Sequence, residues 1–134
     1  MSNLEGKLKH LELIQTVIAR MANNSFLLKG WTATIVVALV TLDNFDSGKF
    51  LIIANYPILV FWLLDAYFLS QERVFRALYE VVRNLPPEKI DFSMEINEYY
   101  RGRNTWLGSL CSGILLIFYI GIMWLILCII NLMR

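Results

Sequence analysis

Two ionisable residues stand inside otherwise apolar segments: Lys29 in FLLKGWTATIVVALVTL and Asp65 in FLIIANYPILVFWLLDAYFL. A carboxylate near the centre of a bilayer costs about 2.5–3.5 kcal/mol on insertion scales, so such a group ordinarily has a partner or a role. Counted from the ends that carry basic flanks, each residue lies about one turn inside its segment. If the two segments form an antiparallel hairpin, the side chains meet at similar depth. The spacing predicts a Lys29–Asp65 ion pair, within one chain or between subunits. A structural clamp is the first reading, and part of a gate or ion path is the sharper one.

Two other groups of residues carry weaker signals. Asn55 and Pro57 mark a weakened place in the second apolar segment, because proline removes a backbone donor and frees a carbonyl. A kink that serves packing competes there with a gating site. In the last segment Ser109, Gly113 and Gly121 share one stripe, with Ile117 between them and Gly108 and Ser112 as a neighbouring small pair. Small residues let helices approach closely in lipid, so this stripe predicts a packing face against the hairpin or another subunit.

Catalytic and metal chemistry find little support. His10 is the only histidine, so a His-based metal site needs residues from another chain. Cys111 and Cys128 lie seventeen residues apart in one apolar run, roughly 25 Å along a helix, too far to bridge. Tyr67, Tyr79 and Tyr119 read as packing residues. There is no phosphate loop, zinc spacing or nucleophile beside a base. Neither an enzyme nor a bound cofactor is expected.

The elements that position these residues follow from the apolar pattern. Over 1–25, Leu4, Leu8, Leu11, Ile14, Ile18 and Met21 recur at steps of three or four, which predicts an amphipathic N-terminal helix. Asn23-Asn24-Ser25 should interrupt it, since short polar side chains compete with helical backbone bonds and cap a following helix. No cleavable signal peptide is expected, because the first apolar run starts only near Phe26. Spans are expected at 26–42, 50–69 and 105–132, the last without a single charge. At about 1.5 Å per residue that final run is roughly 42 Å long, against about 30 Å of bilayer hydrocarbon. A rival topology would split it at Gly121 into a re-entrant pair. The connection 43–49 is polar and short, which forces a hairpin.

Over 70–104 a helical extension of the second span should run to about Asn84, where Pro86-Pro87 ends it. Phe92, Met94 and Ile96 then alternate with polar residues, which allows a short strand or an ordered loop. Tyr99, Tyr100, Arg101, Arg103 and Trp106 form an interfacial belt leading into the last span. The expectation is an all-α integral membrane protein in one domain, residues 1–134. It has three transmembrane helices, an amphipathic N-terminal helix and a cytoplasmic extension of the second span. The 57% apolar share agrees, and a net charge of +1 argues against a nucleic-acid partner. With three spans, ten basic residues fall on the side of the N-terminus and two on the other, so the N-terminus is expected inside and the C-terminus outside.

The blocks Ile18–Trp31 and Phe61–Arg73 carry the patterns RMxxNSFLLKGW and FWxLDxYxLxQER. In these the chain resembles a group of small bacterial inner-membrane proteins without established chemistry. The resemblance implies an inner-membrane location. It gathers Arg20, Asn24, Ser25, Lys29, Trp31, Asp65, Tyr67 and Arg73 around one interface.

Two functions fit. One is a homo-oligomeric assembly in the lipid bilayer, channel-like or a membrane-perturbing effector of a bacterial defence system; three spans cannot enclose a path alone. The other is a non-conducting anchor or accessory subunit that docks a soluble cytoplasmic protein through residues 71–103.

Overall fold

The computed structural model describes residues 3–42 and 47–132. It is all-helical, with no strand among the described residues. Two long helices form an antiparallel hairpin: α1, Asn3–Thr41, and α2, Ser47–Asn84. A short helix α3, Trp106–Leu110, and a longer α4, Gly113–Leu132, pack on α2. Three helices are long and apolar enough to cross a membrane: α1, α2 and α4. Of the expected connection 43–49, residues 43–46 lie outside the described residues.

The predicted interruption at Asn23-Asn24-Ser25 does not occur, and the N-terminal helix and first span are one helix of 39 residues. Asparagine and serine in a helix interior each cost only about 0.5–0.7 kcal/mol relative to alanine. Here α1 is held on both sides of the tripeptide, by buried Ile18 before it and buried Thr32 after it. The Ser25 hydroxyl is also taken up by a partner on α2, so it does not compete for the backbone.

The buried face of α1 keeps Ile14 and Ile18 of the predicted one, with Leu11 packed beside them, and departs from it elsewhere. His10, Ile14, Ile18, Ser25, Thr32 and Val36 turn inward, while Leu4 and Leu8 are exposed. Along α2 the buried positions are Phe50, Ala54, Ile58, Asp65, Ala66, Ser70, Val74, Leu78 and Val82; all but Asp65 fall, with partly buried Trp62, in one series of fourth residues. Such a series drifts by about 40° per step around the helix. That winding lets α2 serve α1, α3 and α4 in turn.

Two apolar cores result. One joins Val36, Phe50, Ala54, Ile58 and Ala66 to Leu115, Tyr119 and Ile126 of α4. The other joins Ile14 and Ile18 to Leu78, Val82 and Ile90, at the end where α1 begins and α2 finishes. We call this the basic end. Here α2 stops at Asn84, and Lys7 donates to the freed carbonyls of Arg83 at 2.8 Å and Leu85 at 2.7 Å. A cation at a helix C-terminus satisfies orphan acceptors and complements the backbone dipole.

Beyond Pro86 the chain makes turns at Pro87–Lys89, Asn97–Tyr99 and Gly102–Asn104, with 91–96 between them as loop. Among the described non-glycine residues Phe92 alone has a left-handed backbone, φ 57°. Its ring packs edge-on against His10, centroids 5.7 Å apart, and sits over Gly6. A ladder-forming strand requires extended backbone at every position, which Phe92 interrupts.

The third apolar run is not one helix. It breaks at Cys111-Ser112, and α4 then continues unbroken through Gly121, so the re-entrant alternative fails as well. Thr105 caps α3 by accepting from the Gly108 N–H at 3.1 Å. Gly108 is required there, since a Cβ would meet the Gly102 carbonyl oxygen at 2.4 Å. The break frees carbonyls that must find partners outside the helix. The Trp62 indole donates to the Leu110 carbonyl at 3.2 Å, and Arg73 donates to the Ser112 hydroxyl at 3.0 Å.

Candidate functional site

Ser25 and Lys29 lie four residues apart on α1 and so share one face. Across from them on α2 is Asp65, fully buried. Lys29 Nζ donates to Asp65 Oδ2 at 2.5 Å and to Ser25 Oγ at 2.9 Å, while Ser25 Oγ donates to Asp65 Oδ1. The third participant comes from α4: the Tyr119 hydroxyl donates to Asp65 Oδ2 at 2.9 Å. One carboxylate therefore accepts from three side chains on two other helices.

Each donor is fixed in turn by its packing. The Tyr119 ring stacks on Trp62 with centroids 6.1 Å apart and planes 14° from parallel. Phe118 meets Tyr119 edge-on, and its own ring lies 5.9 Å from Lys29 Nζ. An ammonium above an aromatic face gains further electrostatic stabilisation. Thr32, one turn beyond Lys29 and buried, turns its hydroxyl to the Leu28 carbonyl at 2.7 Å.

The arrangement balances one positive and one negative charge. The Asp65 side chain is 0% exposed and that of Lys29 20%, so only the lysine keeps an edge toward the surroundings. A carboxylate held by three donors in a dry site is neither a free base nor a nucleophile. What the group can do is tie three apolar helices together with directional bonds and confine a neutral pair. Among the described residues no three His, Cys, Asp or Glu side chains come together to hold a metal ion.

The other sequence-selected residues lie elsewhere. Asn55 donates to the Leu51 carbonyl of its own helix at 2.7 Å. Pro57 stands within α2, which continues to either side of it. Ser109 is fully buried, with its hydroxyl 3.4 Å from the Arg103 carbonyl it donates to. Gly113 and Gly121 do not join it: both open onto empty space, and Ile117 between them is 79% exposed. The stripe predicted as one face is divided by the break, which re-aims everything before Gly113. Cys111 and Cys128 are free thiols.

Sequence reasoning left the roles of two members of the site unassigned. Ser25 was expected to cap a helix, yet its four-residue spacing from Lys29 already placed it on the pair's face. Tyr119 was expected to pack only; a lone phenol deep in a run of aliphatic residues was the available signal, because a buried hydroxyl needs an acceptor.

Compared with known proteins, the chain finds no counterpart: no family model, no curated protein and no solved structure matches it.

Proposed function

We propose that this chain is a multi-pass protein of a bacterial inner membrane, with its N-terminus inside and its C-terminus outside. In this reading it acts as a non-conducting anchor or accessory subunit. The observation that carries the reading is the closure of the Lys29–Asp65 pair within one chain. The charges in the spans are used up internally. The outward side chains at span depth are large and apolar, among them Phe26, Val37, Ile52, Ile114 and Trp124, which suits contact with lipid tails and offers little to an aqueous path.

The basic end supports the docking half of this reading. From Ser70 to Asn84 α2 continues about 21 Å past the apolar run and is braced by the first half of α1 through its own core. Residues 71–103 present a mixed-charge surface on this rigid stalk, suited to a soluble cytoplasmic protein. Exposed Leu4 and Leu8 add apolar area beside it. The ten-to-two bias of basic residues supports the orientation.

A second reading has an observation of its own. The open Gly113–Ile117–Gly121 face of α4 suits close approach of a second copy, as a homo-oligomeric channel or a membrane-perturbing effector of a defence system would require. Dye-loaded liposomes containing the purified protein separate the two. The anchor reading expects dye retention equal to empty liposomes; protein-dependent leakage would replace it with the second.

A further inference from the structure

We infer that Arg73 and Arg103 form a binding site for the phosphate group of an anionic phospholipid, where α2 passes the break between α3 and α4. The inference rests on reading 50–69 as a span. The apolar run ends at Leu69, and Arg73 follows four residues later, about 6 Å along the helix. That is the depth at which headgroup phosphates lie.

The Arg73 guanidinium is held in place by neutral groups. It donates to the Arg103 carbonyl at 2.7 Å and to the Ser112 hydroxyl at 3.0 Å. A guanidinium has five N–H donors in a flat fork that matches phosphate oxygens, so three remain. Among the described residues neither Arg73 nor Arg103 has a carboxylate at ion-pair distance. The nearest acid in sequence, Glu72, is engaged by Arg76 at 2.7 Å and 2.9 Å.

The two cations therefore lie near one another, with no carboxylate at ion-pair distance among the described residues. Burial and the neighbouring Arg103 charge together hold the Arg73 pKa below its usual value, against a smaller opposing effect of Glu72. Two unneutralised cations at headgroup depth attract an anion strongly. The positive end of the α4 backbone adds the same sign.

A lipid, rather than a free anion, suits what surrounds the pair. Leu107 of α3 and Ile114 of α4 flank the break in sequence and are both exposed, giving acyl chains apolar side chains on either side of it. The Arg103 side chain is exposed, and the fold uses only its backbone carbonyl. Arg103→Gln therefore removes one cation and leaves the junction intact.

The test is native mass spectrometry of the full chain released from nanodiscs of phosphatidylcholine with phosphatidylglycerol. The wild type is expected to retain phosphatidylglycerol in preference to phosphatidylcholine. Arg103→Gln should lower that retention about fivefold, the effect of one basic residue near an anionic surface, and Arg103→Lys should keep most of it. Retention unchanged in Arg103→Gln, or equal retention of both lipids, would overturn the site. In lipid-free detergent, inorganic phosphate should leave the melting temperature where it was while phosphatidylglycerol raises it; an equal rise with phosphate would overturn the lipid assignment. A chain that does not enter nanodiscs at all would overturn the membrane reading, and this inference with it. Entry without lipid preference overturns the inference alone.

Discussion

The Tyr119 hydroxyl donates to Asp65 Oδ2 over 2.9 Å, and this contact fastens the third apolar helix to a charge pair supplied by the first two. Asp65 is the shared acceptor, with Lys29 on the same oxygen at 2.5 Å. Removing either neighbour acts on a carboxylate that has no access to water.

Lys29→Met leaves Asp65 buried and uncompensated. Breaking a buried pair from one side costs about 3–5 kcal/mol, whereas replacing both partners by apolar residues is often close to neutral. Thermal unfolding in detergent, followed by circular dichroism, should show a large loss for Lys29→Met and for Asp65→Leu singly. The double variant should recover at least half of it. Additive losses in the double variant would mean that the two side chains do not act as a pair.

Tyr119→Phe keeps the ring on Trp62 and deletes one donor to the carboxylate. Hydrogen bonds between membrane helices average about 0.6 kcal/mol and reach about 1.7, and a charged acceptor places this one toward the top. The stability loss should therefore be near 1.5 kcal/mol. Hydrogen exchange should quicken in α4 more than in the α1–α2 hairpin; uniform change across all three helices would contradict the fastening role.

Glycines in the last segment should respond in opposite ways. Gly108→Ala drives a methyl into the Gly102 carbonyl, 2.4 Å from the ideal Cβ position, and overpacking of this kind costs about 1–3 kcal/mol. Gly121→Ala meets open space and should leave the melting temperature of a single chain unchanged. If Gly121→Ala instead lowers cross-linking between copies, α4 is where they meet; destabilisation of the isolated chain would show that Gly121 packs within it.

His10 is buried, with Nε2 lacking a partner among the described residues. Leaving a polar atom unsatisfied in an apolar site costs about 1–3 kcal/mol. His10→Leu, of similar bulk, should therefore raise stability by about 1 kcal/mol, read as an upward shift in melting temperature. A downward shift would mean that the imidazole edge against Phe92 outweighs the orphaned nitrogen.

The apolar runs, the short polar connection and the double proline were enough to establish three helices long and apolar enough to cross a membrane, the hairpin and the end of α2 at Asn84, because each is a local property. Hydrocarbon length, loop length and a missing N–H act without reference to distant residues. The depth match of Lys29 and Asp65 was legible for the same reason: in a hairpin, distance from a common boundary is a count along the chain. Tertiary contact decided the rest. Packing against α2 carried α1 straight through Asn23-Asn24-Ser25, where local preference favoured a stop. Trp62, distant in sequence, satisfies the Leu110 carbonyl freed at the break, and Arg73 holds the Ser112 hydroxyl beside it, so a break stands inside an unbroken apolar run. That break divided the small-residue stripe, and the rotation of α4 brought Tyr119 onto Asp65. A bond donor within a helix does not reveal which carbonyl or carboxylate it will meet until the helices are set side by side.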